Sequence, residues 1–304
     1  MKTLILCLTL LMLVSGCAGL VQDVDPARLP KTDPQLVVHS YLSPQDTLLT
    51  VVVSRSRTSV GVLVDSTQFN PVSDARVTLS EGNNLVILRF NPQRALYQVD
   101  ARLFTVKVDH TYTLSVELPD GQRATATTTV PGTVPTPEVL LDSVANPASL
   151  AGVDYFVQLR WQDTAGEVNF YQVAGDNEYG SLYRSYGDSV EVPYQAINGI
   201  AFQSYNESPF LTDANRDGQV INSPRGQLQI YATTNPPSVI PPFLLNVYLL
   251  SVNRAYYEYY EMILSQARNE DNPFAEPMLI RGNIQGALGC FGAYNGAKVS
   301  FRLR

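Results

Sequence analysis

The chain has 304 residues, of which 45% are hydrophobic and 16% charged, so it is long enough to bury the cores of two compact domains. Its formal net charge is −7, and its Lys and Arg residues form no cluster. Because binding to nucleic acid requires clustered basic residues that neutralise phosphates, this composition excludes a nucleic-acid-binding function. The acidic balance suits a solvated surface outside the cytoplasm.

Residues 1–16 have the pattern of a secretory signal: one lysine, then an apolar run, then a Ser-Gly pair directly before Cys17. The apolar run is too short to remain as a helix across a bilayer of about 30 Å. The segment VSGC resembles the lipobox of bacterial lipoproteins, which implies cleavage before Cys17 and acylation of Cys17, for example by palmitate. An ordinary secretory signal with an incidental cysteine is the alternative. Two or three acyl chains would form a stable anchor, because each buried methylene contributes about 0.8 kcal/mol.

Residues 17–35 continue from Cys17 with evenly spaced prolines and no hydrophobic period. This pattern predicts an extended tether between the lipid anchor and the folded part of the chain.

Residues 36–131 contain seven short runs of alternating or β-branched residues separated by turn residues, which predicts an N-terminal β-sandwich. The phrases PVSDARVTLSEG and TYTLSVELPDGQRATATTTVP resemble the regulatory-like, prealbumin-type sandwiches that accompany carboxypeptidases and many outer-membrane receptors. This resemblance implies a structural or docking module without catalysis. Residues 132–138 are proline-rich and predict a linker.

Residues 139–304 predict a second β-rich domain. In VDYFVQLRWQD every second residue is apolar or aromatic, which predicts a strand with one buried face. Trp161, the only tryptophan, lies on that face, so we interpret it as a core anchor rather than a surface for ligand stacking.

The stretch from Asp176 to Tyr205 is rich in Tyr, Gly, Asn and Ser, a composition shared by recognition loops and by meanders of amphipathic strands. Both interpretations stay open. Under the first, the candidate ligand-contact residues are Tyr179, Tyr183, Tyr186, Tyr194 and Tyr205.

Asp213, Asn215 and Asp217, followed by Gly218, are spaced as in the first half of a calcium-binding loop. That loop type needs a glutamate at its twelfth position, where this chain has Pro224, and it needs flanking helices that the sequence does not predict. Asx turns and a glycine with positive φ explain the same residues without a metal. We therefore expect a turn that sets the register of the next strand and no cofactor, with calcium as the alternative.

A single helix is predicted over about residues 253–268, with Asn253 as its N-cap. Its stripe is expected to pack on the second sandwich and consists of Tyr256, Tyr260, Ile263, Leu264 and Ala267. Cys290 is the only cysteine left once Cys7 is removed with the signal and Cys17 is acylated, so no internal disulfide can form. Its small and apolar neighbours predict a buried, unreactive thiol.

The helix YYEYYEMILSQ, the segment NPFAEP, the stretch GNIQGALGCFGAY and a closing strand follow one another near the C-terminus. Together with the lipobox and the opening LVVHSYLSP, they resemble the DUF4249 lipoproteins of Bacteroidota over essentially the whole chain. The resemblance implies a lipoprotein of the outer membrane that is often encoded beside TonB-dependent receptors. We expect it to face the cell surface rather than the periplasm. It supplies no catalytic or binding residues.

The motifs of common hydrolases, nucleotide-binding proteins and zinc enzymes are absent from the sequence, and His39 and His110 are its only histidines. We therefore expect no enzyme. The favoured function is a non-catalytic accessory or docking subunit of an outer-membrane complex, with a TonB-dependent receptor-type barrel as partner. A surface protein that binds a ligand or glycan through the tyrosine-rich loops is the alternative, and a hydrolase is the third.

Overall fold

The computed structural model describes residues 33–56, 70–148, 152–183, 192–202, 207–228, 239–269 and 279–303. The signal, Cys17 and most of the predicted tether therefore lie outside the described residues. The fold is mainly β, as the sequence predicts, and the described residues form two sheets and a single α-helix.

The seven strands predicted for the N-terminal half all form. They are β1 (Leu36–Leu42), β2 (Leu48–Arg55), β3 (Arg76–Glu81), β4 (Asn84–Asn91), β5 (Leu96–Asp100), β6 (Thr111–Glu117) and β7 (Arg123–Thr129). Alternate residues of β1, β2, β3 and β6 are buried, as the alternating pattern of their sequences requires. The strands enclose a first core that includes Leu79, Tyr97, Phe104 and Tyr112.

The second half contains nine strands and the helix. The strands are β8 (Glu138–Ala145), β9 (Val153–Gln162), β10 (Phe170–Tyr183), β11 (Val192–Gly199), β12 (Phe210–Thr212), β13 (Val220–Asn222), β14 (Gly226–Gln227), β15 (Val239–Val252) and β16 (Leu288–Leu303). The helix, α1, spans Arg254–Arg268.

The larger sheet has 12 strands and runs through both halves of the chain. Its order is β11-β10-β15-β16-β1-β2-β5-β4-β3-β6-β7, with β12 added beside β10. The two halves meet where β16 pairs in parallel with β1, from Val37 opposite Leu288 to Leu42 opposite Ala293. Every other pairing of this sheet is antiparallel.

The smaller sheet has four strands and is centred on β9, with β8 along one edge and β13 and β14 along the other. Its inner face packs on β10, β15 and β16 around a second core, which contains Val157, Leu159 and Trp161 from β9. The predicted buried face of β9 is thus confirmed, and Trp161 is 3% exposed, in agreement with its interpretation as a core anchor.

Strand β16 contributes side chains to both cores from one of its faces. Phe291 and Ala293 lie in the first core, whereas Val299 and Phe301 pack against the second. On its opposite face, Cys290 and Tyr294 lie beside α1. The C-terminal strand therefore belongs structurally to both halves, an arrangement that the predicted division at residues 132–138 does not include.

Helix α1 begins where the sequence predicts. Asn253 caps it by accepting a hydrogen bond from the Tyr256 backbone N–H at 3.1 Å. The same Asn253 oxygen accepts from the Ala293 N–H at 3.3 Å, and its amide donates to the Thr128 hydroxyl at 2.6 Å. One cap therefore ties the helix to β16 and to β7. Among the described residues, no helix combines the length and the apolar composition that crossing a membrane requires.

Candidate functional site

The candidate site is a cavity on the face of the large sheet that carries α1, and we call it the sheet-face cavity. Its volume is about 790 Å³. Strands β10, β15 and β16 form its floor, and β1, β2 and the turn between them form a wall. Tyr256 of α1 lies at one side.

The floor is built from rows of side chains that cross three neighbouring strands. In one row Ala174 of β10 pairs with Tyr248 of β15, which pairs with Lys298 of β16. In the next row Gln172 pairs with Leu250, which pairs with Gly296. Because side chains of a strand alternate between the two faces, Val173 and Leu249, which lie between these rows, point into the second core instead.

The wall is held by polar contacts from the turn between β1 and β2. Asp46 accepts a hydrogen bond from the Tyr294 hydroxyl at 3.0 Å and from the Ser43 backbone N–H at 2.8 Å. Burial raises the pKa of Asp46, although both hydrogen bonds act in the opposite direction. Burial and the neighbouring Asp46 raise the pKa of Tyr294 to about 12. Gln45 donates to the Asn295 side-chain oxygen at 2.7 Å, which fixes the turn against β16.

Tyr256 of α1 closes one side of the cavity, and α1 can lie this close to β16 because residue 292 is a glycine. A Cβ atom at Gly292 would come within 3.0 Å of the rings of Tyr256 and Tyr41, so the close contact of α1 with β16 requires glycine there. The Tyr256 hydroxyl donates to Gln172 Oε1 at 2.8 Å, which joins the helix to the floor. Burial raises the pKa of Tyr256 and of Tyr41.

His39 lies in the wall, with its Nε2 atom 2.7 Å from the Tyr259 hydroxyl of α1. Burial lowers the pKa of His39, so its neutral form is favoured. The neighbouring Ser40 hydroxyl donates to the Thr50 carbonyl oxygen at 2.9 Å and not to His39. The wall therefore contains a histidine and a serine without the contact that would activate the serine as a nucleophile.

The tyrosine-rich stretch does not coincide with this cavity. Tyr179 is 1% exposed, and its hydroxyl accepts a hydrogen bond from the Asn198 amide at 3.0 Å. Tyr179 therefore lies on the buried face of β10 and not at the protein surface. Tyr186 and Tyr205, and the side chains of Tyr183 and Tyr194, lie outside the described residues.

The structure brings a third carboxylate to the predicted pair Asp213 and Asp217. Oxygen atoms of Asp163, Asp213 and Asp217 lie within 4.8 Å of one another, and Asp163 and Asp213 are buried. Asn215 is not a member of this group and has a φ of 66°. Three carboxylate oxygens are ligands of the kind that calcium prefers.

Hydrogen bonds already engage all three carboxylates, since Asp213 accepts from the Thr212 hydroxyl at 3.4 Å. Asp163 accepts from the Tyr171 hydroxyl at 2.6 Å and from the Gly218 N–H at 2.8 Å. Asp217 accepts from the Gly166 N–H at 2.8 Å. These hydrogen bonds fasten the loop after β9 to the loop before β13.

The sequence matches a known protein family. The family described as "Domain of unknown function (DUF4249)" matches residues 22–300. The chain belongs to the DUF4249 family. The match covers both cores of this DUF4249 protein, α1 and nearly all of β16. No curated protein matches the sequence.

Sequence reasoning did not identify the residues of the sheet-face cavity. They come from β1, β2, β10, β15, β16 and α1, and no local motif marks them. The even spacing of Tyr294, Gly296 and Lys298 on β16 was a usable signal, since these residues share one face of a strand. Its interpretation required the neighbouring strands.

Proposed function

We propose that this DUF4249 protein is a non-catalytic binding protein that holds a small ligand in the sheet-face cavity. The cavity itself is the observation that supports the proposal. Its volume of about 790 Å³ lies in the range of ligand sites, and tyrosine rings lie beside a few polar groups along its lining. A protein that binds a ligand or glycan was the alternative function in the sequence analysis. The binding site proposed here lies on the sheet face and not in the tyrosine-rich stretch.

The absence of catalysis is part of this proposal. It is supported by the engaged state of the cavity's reactive groups, since His39 bonds to Tyr259, Ser40 to a carbonyl and Asp46 to Tyr294. His110, the other histidine, is not part of the cavity lining and contacts Glu81. A general base needs a free nitrogen or oxygen within reach of its substrate.

We also propose that the protein is an outer-membrane lipoprotein, anchored through acylated Cys17 and facing the cell surface. The lipobox-like VSGC supports this location. A tether over residues 17–35 would then hold the binding domain away from the lipid.

A thermal-shift screen of small metabolites and short sugars tests the binding function. Ala174→Trp places a large ring beside Tyr248 in the middle of the floor, and Ile197→Trp places the same ring at a side chain that is 66% exposed on β11. We expect at least one compound to raise the melting temperature of the wild type and of Ile197→Trp but not of Ala174→Trp. If every stabilising compound acts equally on all three proteins, the cavity is not the ligand site.

Docking on an outer-membrane barrel protein is a second proposal, favoured by the open edge of the smaller sheet. Within the described part of the chain, strand β8 pairs only with β9, and its Leu140, Leu141 and Val144 are 38, 44 and 48% exposed. Edge strands with exposed apolar side chains accept an added strand from a partner. Affinity purification from solubilised outer membranes should recover a barrel protein with the wild type and lose it with Val144→Lys. Equal recovery with both proteins would exclude this edge.

A further inference from the structure

Three side chains of the sheet-face cavity, Asp46, Gln172 and Gln45, already use their acceptor oxygens within the protein. Both oxygens of Asp46 accept hydrogen bonds, from Tyr294 and from Ser43. Gln172 Oε1 accepts from Tyr256, and Gln45 Oε1 accepts from Ser43. A ligand that offers mainly donors would have to displace these internal bonds, which lowers its affinity.

Donor groups of the cavity remain available. The Lys298 ammonium lies 5.4 Å from the centre of the Tyr248 ring, and no carboxylate among the described residues forms an ion pair with it. The Gln172 amide N–H₂ likewise has no acceptor within the described part of the chain. An ammonium donates up to three hydrogen bonds and accepts none.

Lys298 and Gln172 lie on either side of the same floor residues. They are separated by two strand spacings across the sheet and two residues along it, which is about 12 Å between Cα atoms. Tyr248 and Leu250 lie between them and offer an aromatic and an aliphatic surface. The lining thus holds one carboxylate, Asp46, whose oxygens both accept internal hydrogen bonds, and one cation, Lys298, that has no ion-pair partner among the described residues.

We propose that the ligand is an organic anion, in which a carboxylate, sulfonate or phosphate group is joined to a ring or another apolar body. The anionic group binds Lys298, with the Gln172 amide as a second donor, and the apolar body lies on Tyr248 and Leu250. This inference rests on the proposed binding function and specifies its ligand class.

Two fluorescent probes of matched shape test it. Anilinonaphthalene sulfonate carries an anion on an aromatic body, and phenylnaphthylamine has the same ring skeleton without the sulfonate. Each is titrated against the wild type, Lys298→Met, Lys298→Arg and Ala174→Trp. Lys107→Met serves as the control, because Lys107 is an exposed lysine outside the cavity lining. Circular dichroism verifies that each variant is folded.

We expect the wild type to bind the sulfonate about tenfold or more tightly than the neutral probe, as one charge-assisted hydrogen bond predicts. Lys298→Met should remove that preference, while Lys298→Arg and Lys107→Met retain it. Ala174→Trp should weaken both probes. Added salt should reduce the preference, because Lys298 is exposed.

Two results would overturn the inference, and they differ in what they imply for the proposed function. If both probes bind equally well and Ala174→Trp weakens both, the cavity binds ligands but does not select anions. If Ala174→Trp leaves both affinities unchanged, the probes bind elsewhere. That result would contradict both the proposed ligand class and the proposed binding site.

Discussion

Asp163 and Gly218 are 55 residues apart in the chain, yet the Gly218 backbone N–H donates a hydrogen bond to Asp163 Oδ2 at 2.8 Å. The contact is reciprocal between the two loops, since Asp217 accepts from the Gly166 N–H at 2.8 Å. Each loop thus supplies one carboxylate and one backbone donor to the other. This pair of bonds places β13 in register with β9, where Ile221 lies opposite Trp161.

The first prediction concerns the glycine of this contact. Gly218 has a φ of 66°, and a Cβ atom there would lie 2.7 Å from Ala165 Cβ. Gly218→Ala should therefore reduce the free energy of unfolding by about 2–4 kcal/mol, from backbone strain together with steric overlap. Urea denaturation measures the loss.

Gly82→Ala is the matched control, because Gly82 has a φ of 54° but no atom within 4 Å of the added Cβ. It should lose about 1–2 kcal/mol from backbone strain alone. Equal losses in the two variants would show that Gly218 does not lie against the loop of Asp163.

The second prediction concerns calcium. Because backbone and hydroxyl donors already bind Asp163 and Asp217, we expect neither calcium nor EDTA to change the melting temperature by more than about 1 °C. Melting curves of the wild type and of Asp213→Asn provide the measurement. A rise with calcium that disappears in Asp213→Asn would instead establish a calcium site at Asp163, Asp213 and Asp217.

The third prediction concerns pH. Burial lowers the pKa of His39 below its usual value of 6.5, so the unfolded chain binds a proton more readily than the folded protein does. The stability that neutral His39 contributes is present above pH 6.5 and is lost as the pH falls toward the lowered pKa. His39→Gln should therefore lose less stability than the wild type between about pH 7.5 and 5.5. Identical losses in both proteins would contradict the buried environment of His39.

The fourth prediction concerns Cys290. Its side chain is fully buried below α1, with Sγ 3.6 Å from the Ala255 carbonyl oxygen, and burial raises its pKa to about 12. In a soluble form that starts after Cys17, a thiol reagent should modify Cys290 only after denaturation. Leu103→Cys, at a side chain that is 72% exposed, should react at once in the same assay. Rapid modification of the folded wild type would contradict the packing of α1 on β16.

Local patterns allowed much of the fold to be predicted. The strands of the first half alternate buried and exposed residues, and the helix has a cap and a stripe, so a few neighbouring residues suffice to identify each element. The parallel pairing of β1 with β16 joins residues about 250 positions apart, for example Val38 with Gly289, and neither strand indicates its partner.

The candidate functional residues likewise depend on contacts between distant parts of the chain, which local sequence patterns do not indicate. Asp213 and Asp217 were visible as a motif, whereas Asp163 follows an ordinary strand, and only folding brings it to them. The composition around Tyr179 left both a recognition loop and a strand possible, and its even spacing from Val173 along β10 places it on the buried face. Lys298 and Ala174 line the same cavity because both of their strands pair with β15, where Tyr248 lies between them.

The most direct test of the central claim is a hydrogen-exchange footprint of the protein with the compound that stabilises it best in the thermal-shift screen. The binding account predicts slower exchange in peptides that cover residues 171–174 and 294–298 in the wild type, and no such change in Ala174→Trp. Slower exchange confined to residues 179–205, with no change at the sheet-face cavity, would contradict it.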